Sequence, residues 1–336
     1  MSVLARSMAR AAFSPLVRRR LLRMGDYRLR CVLFHDVVDE ESAFTRGLNV
    51  TVSRSEFLAQ VEFLAAHYTL VPFESVLEDG ARLDTGSKPP LLITFDDAYR
   101  SVVDFCAPRL HELGVPSLFF VNGEFVGNRT LALDNLLSYV INTSGLTVIE
   151  RAAARPLANP RAIWNSYLPT ITPADRARFK REVADTAGID IATLAQTARL
   201  YVDEAGIASL PALGMEIGNH TFSHLHCRTL DAQSCDREIG HNREVLEGMV
   251  SAPVRAFSFP YGHRADATPV VRHELERTGT KAAFLVHALP NTDDTDRYGY
   301  HRVSLHAGDN VDTFSAVEVL PRLRLLRNRL RRGDVR

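Results

Sequence analysis

The sequence predicts an α/β fold: a distorted (β/α) barrel of about seven strands carrying a helical insertion. Three observations predict it. Short apolar runs recur along the chain and alternate with stretches of helical periodicity, which implies a largely parallel sheet covered on both faces. About seven or eight such units fall within one stretch, which favours a closed barrel over an open sheet. Candidate polar residues stand at the ends of these runs, and (β/α) barrels build their sites at the C-terminal ends of their strands.

Residues 1–28 read as a basic helical arm and 29–315 as the barrel. The first apolar run, 31–34, ends in His35 and Asp36. Ser53 and Glu56 form a capping box, behind which Phe57, Val61 and Leu64 share one helical face. A short strand at 68–71 precedes the run 91–95, which leads into Asp96 and Asp97. A helix over 102–113 stops at Gly114, and 117–121 is the next buried strand. Residues 128–210 show helical patterning with few strand signals and are the insertion; Thr172 and Pro173 start one of its helices. The strand rhythm resumes at 215–218, followed by His220. A helix capped by Asp231 runs to about Met249. Strands at 256–259, 282–286 and 300–305 complete the barrel, and 316–336 is a basic C-terminal helix.

The 336 residues are 46% hydrophobic and 24% charged, enough for one large core with an insertion. Formal net charge is zero, so nothing indicates nucleic acid as a partner. Arginines interleaved with apolar residues crowd both ends, as in Arg18, Arg19, Arg20, Arg324, Arg327 and Arg331. Two readings fit them equally: attachment to an anionic membrane surface, or solvated helices packed on the barrel. No apolar run approaches the ~20 residues of a membrane-spanning helix, and the N-terminus lacks the apolar segment of a signal peptide. Cys31, Cys106, Cys227 and Cys235 make no disulfide framework in a chain of this length. Reduced thiols in the cytoplasm, with peripheral contact at the inner membrane face as an option, are the expectation.

Adjacent carboxylates repel when both are ionised, and a fold tolerates Asp96–Asp97 when a cation lies between them or one has a separate task. His220 and His224 are four residues apart, and on a helical turn both rings would face one way. With Asp97 they make a two-histidine, one-carboxylate set with open positions, which suits a catalytic divalent metal. Zinc is the first choice, with cobalt, manganese and iron as alternatives. Thr221 stands where a His-Glu-x-x-His site carries its base, so the base comes from elsewhere, and Asp96 is the available carboxylate. His226, His263 and His287 follow no pattern and are assigned to the surface.

Thr94-Phe95-Asp96-Asp97, then His220-Thr221-Phe222-Ser223-His224, then Phe259-Pro260-Tyr261-Gly262 occur in that order. They resemble the motifs of the polysaccharide deacetylases, the NodB-homology domain of carbohydrate esterase family four. The resemblance covers about 30–125 and 210–310. It implies a distorted β/α barrel, one divalent metal and hydrolysis of an N-acetyl group on an N-acetylated sugar or glycan. It makes Asp96 the general base, makes Asp97, His220 and His224 the metal ligands, and uses the Tyr261 N–H, after Pro260, at the oxyanion. Two departures stand out. Ser258 occupies the position of an arginine that orients the base, and Leu305-His306 lacks the spacer of the last motif. His306 is the first choice for the general acid, ahead of His301 and His35. Arg302 is the expected replacement for the missing arginine, and His35 is read as a substrate contact or a structural residue. Two other functions fit less well: hydrolysis of a formyl or cyclic amide, and a catalytically silent glycan-binding barrel.

Overall fold

The computed structural model describes residues 28–86, 88–305, 313 and 315–332. Apart from Arg28, the basic arm expected over 1–28 lies outside the described residues, as does His306.

Among the described residues eleven strands form in chain order: β1 (Arg30–Phe34), β2 (Asp36–Val37), β3 (Thr51–Val52), β4 (Thr69–Leu70), β5 (Pro90–Phe95), β6 (Ser117–Val121), β7 (Met215–Asn219), β8 (Ala256–Ser258), β9 (Ala282–Leu285), β10 (Tyr300–His301) and β11 (Val303–Ser304). All pairings among these strands are parallel, along the path β10-β9-β8-β7-β6-β5-β1-β11. β4 adds to β5, and β2 with β3 makes a separate pair. The two ends of the path, β10 and β11, are one segment split at Arg302. His301 pairs with Leu285 of β9, while Val303 pairs with Val32 of β1. One short stretch of chain thereby nearly closes the sheet into the distorted barrel.

Every residue of β5 and β6 is buried, as parallel strands between a packed interior and covering helices must be. Alternate residues divide between these two environments. Cys31, Leu92, Leu118, Phe120, Ala256, Ala282, Phe284 and Tyr300 form the interior cluster. Val32, Phe34, Ile93, Phe95, Phe119 and Val121 pack outward under helices such as Arg54–His67, whose Ser53–Glu56 capping box is present. Gly218 belongs to the interior set, because a Cβ there would stand 2.4 Å from the Phe120 ring.

Between β6 and β7 lie the helices Leu133–Thr143, Leu146–Ala152, Pro173–Ala187, Ile191–Ala198 and Glu204–Ser209. They pack around a core of their own that includes Leu136, Leu137, Val140, Ile149, Phe179 and Val183. After the barrel, Ala316 and Val317 dock into the main core, and buried Glu318 accepts hydrogen bonds from Arg30 Nε (2.9 Å) and Tyr68 Oη (3.1 Å). The C-terminal helix Leu320–Arg332 runs on from there with Arg324, Leu326 and Arg327 exposed. All four cysteines are buried and free.

Candidate active site

Counting on along the inward-facing positions, each strand ends in a polar or small residue at one mouth of the barrel. His35 follows Leu33, Asp96 follows Thr94, Asn122 follows Phe120, and His220 follows Gly218. With Val286 and Ser304 these residues line a cleft of about 460 Å³. Strand parity thus selects which of two neighbouring residues faces the cleft. His301 has the wrong parity: it lies against His287 outside the cleft, and burial and His287 push its pKa down to about 4.

Asp97 reaches the cleft against that parity through a backbone reversal. Asp97 (φ 73°) and Ala98 (φ 56°) both occupy the left-handed region that non-glycine residues avoid. The insertion braces this turn. Val202 N–H donates to Ala98 O, and Arg100 N–H donates to Leu200 O, both at 3.0 Å. Tyr99 Oη accepts from Asn135 Nδ2 at 2.9 Å.

The two histidines of the expected ligand set are not on a helical turn, as their spacing suggested. They sit in an irregular loop with Thr221 at φ 62° and His224 at φ 56°. Their convergence comes from hydrogen bonding. His220 Nδ1 lies 2.8 Å from the Ser258 carbonyl, an acceptor only, so Nδ1 carries the proton and Nε2 faces the cleft. His224 Nδ1 lies 3.1 Å from Asp134 Oδ2 and is oriented in the same way. Asp97 Oδ1 is then 3.3 Å from His220 Nε2 and 3.2 Å from His224 Nε2. The ligand atoms of these three residues lie within 4.8 Å of one another. Asp97 Oδ1 is buried without a properly aligned hydrogen bond. Three donors converging on one point, with an oxygen left unsatisfied there, fit a divalent cation. His224 is pushed by burial toward neutrality, but Asp97 and Asp134 win and raise its pKa to about 10.

Asp96 is 3.7 Å from His220 Nε2 and takes a different partner. Arg302, wholly buried, donates from Nη1 to Asp96 Oδ1 and from Nη2 to Asp96 Oδ2, both at 2.8 Å. The same guanidinium donates to Thr94 Oγ1 (3.1 Å) and Ser258 Oγ (2.5 Å), and it stands 5.1 Å from the Phe120 ring centre. Burial raises the Asp96 pKa, yet Arg302 and then His220 outweigh it and hold Asp96 below the ordinary carboxylate value. Arg302 can do this because it interrupts β10–β11 at an inward position. Ser258, where an arginine was missing, is short enough to leave it room.

Tyr261 (φ 60°) turns the Pro260–Gly262 segment into the cleft. The turn requires glycine at 262: its φ is +65°, and a Cβ would stand 2.1 Å from Val286 N. His226, expected at the surface, is buried and stacks on the Tyr261 ring at 3.8 Å.

Three residues that sequence reasoning missed come from the insertion. Asp134, in the first turn of Leu133–Thr143, accepts from Tyr261 Oη (2.8 Å), Arg176 Nη2 (3.0 Å) and Trp164 Nε1 (2.9 Å), besides holding His224. Arg176 also donates to Tyr261 Oη (2.8 Å) and the His224 carbonyl (3.1 Å). In sequence, an Asp in a first turn reads as a helix-dipole partner, and nothing local distinguishes this one. Carboxylates behind metal-binding imidazoles are worth about 10–100-fold in metal affinity. Asp134→Asn is therefore expected to weaken divalent-metal binding by that factor in chelator competition. Unchanged affinity and turnover would remove Asp134 from the site.

The family model described as polysaccharide deacetylase matches residues 84–283, more than half of the chain. The chain belongs to the polysaccharide deacetylase family. The match contains Asp96, Asp97, Asp134, His220, His224 and Tyr261, whereas His35 and Arg302 lie beyond it. Solved polysaccharide deacetylases and relatives share the fold. A deacetylase from Streptococcus pyogenes, solved in complex with acetate, is 11% identical with a TM-score of 0.58, over 87% of this chain and 98% of that one. IcaB from Ammonifex degensii is 18% identical with a TM-score of 0.54, over 88% and 97%. A putative polysaccharide deacetylase from Bacillus anthracis is 16% identical with a TM-score of 0.56, over 87% and 69%. No curated protein matches the sequence significantly. Membership in the polysaccharide deacetylases makes the chain a deacetylase-type hydrolase of glycans.

Proposed function

We propose that this polysaccharide deacetylase is a metal-dependent enzyme that removes the N-acetyl group from an N-acetylated sugar unit. The observation that carries the reading is the convergence of Asp97, His220 and His224 beside an ion-paired Asp96. A divalent metal, zinc by first choice, would supply Lewis acidity toward the acyl oxygen and acidify water at that point. Asp96, kept ionised and aimed by Arg302, accepts the proton of the attacking water. The Tyr261 N–H is the oxyanion donor, a contribution of roughly 3–4 kcal/mol in comparable sites. Two histidines can hand a proton to the departing amine: His306, two residues beyond β11, and His35, the one described histidine of the cleft outside the ligand set.

The test is acetate release from N-acetylglucosamine oligosaccharides by protein loaded with zinc, cobalt or manganese in turn. Release that needs one of these metals is the expected result. Failure of all three across neutral and charged N-acetylated sugars would overturn the reading.

A further inference from the structure

We infer that the rim of this cleft recognises an anionic group on the glycan, through Arg161 beside an aromatic platform at Trp164; the inference rests on the N-deacetylase reading of the same site. Charge balance around the cleft points to it. The carboxylates lining it are Asp96, Asp97 and Asp134. Asp96 is neutralised by Arg302 and Asp134 by Arg176, in both cases by a buried guanidinium within 3.0 Å. Asp97 belongs to the cation site. Arg161 lines the same cleft, is exposed, and its guanidinium makes no hydrogen bond or ion pair with a described residue. It is the one arginine or lysine lining the cleft, and the carboxylates there are already engaged by Arg302, Arg176 and the two histidines. With a divalent ion on Asp97, the cleft carries excess positive charge at two points, and a neutral sugar would leave both uncompensated.

Trp164, three residues on, presents a half-buried indole to the cleft, and the bond from its Nε1 to Asp134 prevents it from swinging away. An indole fixed in this way offers a flat apolar face to a sugar ring. A guanidinium alongside suits the paired oxygens of a carboxylate or phosphate. Both residues lie in the insertion, near the Ile163–Tyr167 turn, so the same segment that braces the metal site would also choose the substrate.

Trp164 is the single tryptophan of the chain, so its fluorescence reports binding independently of turnover. The experiment titrates the zinc-loaded full chain with three probes: neutral N-acetylglucosamine tetrasaccharide, a tetrasaccharide alternating N-acetylglucosamine with glucuronate, and N-acetylglucosamine 1-phosphate. The expected result is a fluorescence change with about three- to tenfold tighter binding of at least one anionic probe than of the neutral one, as a partly exposed ion pair would give. That preference should vanish in Arg161→Gln and at ~0.5 M salt. The carboxylate and phosphate arms decide which anion is read. Equal affinities, a preference that survives Arg161→Gln, or no fluorescence response to any probe would overturn the inference. Acetate release without charge preference would leave the N-deacetylase reading standing and this inference refuted. Anion-selective binding without acetate release would do the reverse.

Discussion

Replacing His220 and His224 together by alanine is expected to remove the bound divalent metal and reduce amide turnover by ~10³-fold or more, with the barrel still folded. Elemental analysis of the wild type should find about one zinc, cobalt or manganese per chain, and the variant should retain almost none. Both imidazoles are oriented from behind, by the Ser258 carbonyl and Asp134, and each offers Nε2 to the point where Asp97 Oδ1 stands unsatisfied. Losing both leaves Asp97 as the one remaining member of the set, where a catalytic zinc site uses three protein ligands. Far-ultraviolet circular dichroism checks that the fold survives. Asp96→Asn is the companion: it should keep the metal and lose ~10²–10⁴-fold in turnover, because it removes only the proton acceptor. If the wild type takes up none of these metals, or if the double variant turns over normally, the hydrolytic mechanism fails.

Arg302→Ala is expected to cut turnover at neutral pH by ~100-fold, to lower the melting temperature, and to move the acid limb of the pH profile upward. The pair it breaks is buried on both sides, and removing one partner of a buried pair typically costs about 3–5 kcal/mol. The direction of the pH effect follows from opposing influences on Asp96. Burial raises its pKa; Arg302 and His220 lower it further than burial raises it. Without the guanidinium burial gains ground, the carboxyl holds its proton to higher pH, and the ionised base is lost where the wild type still has it. The stability term has a matching sign. Because the folded-state pKa is depressed, Asp96 stabilises the fold above its unfolded pKa, and that contribution fades as pH falls through the folded value. The variant lacks it. Arg302→Lys should restore part of the stability and less of the activity, since an ammonium cannot grip both carboxylate oxygens. An unchanged acid limb in Arg302→Ala would show that Asp96 is set by other groups.

Both predictions concern residues visible in the linear sequence. Asp96, Asp97, His220 and His224 stand out because their chemistry is local: paired carboxylates and paired imidazoles directly after apolar runs. The strands were legible for a related reason. Residues buried on both faces must be apolar almost throughout, and such runs need no knowledge of their neighbours to be seen. Parity along those runs even sorts His35 and Arg302 into the barrel and His301 out of it, once one inward residue is known. The helical geometry assumed for His220 and His224 failed because spacing cannot reveal left-handed residues such as Thr221 and His224, which depend on the surrounding contacts.

By itself, then, the sequence determined the parallel barrel and singled out the candidate ligands and base, because each follows from burial pattern or from adjacent donor atoms. Only the tertiary structure decided how those groups are held. Asp134 meets His224 over a separation of 90 residues, Arg176 meets the His224 carbonyl over 48 and Tyr261 over 85, and Trp164 is held by Asp134 over 30. Arg302 meets Asp96 over a separation of 206 residues, because one segment serves both ends of the sheet. A contact of that kind is a product of barrel closure, and no local window of sequence contains the two surfaces that closure brings together.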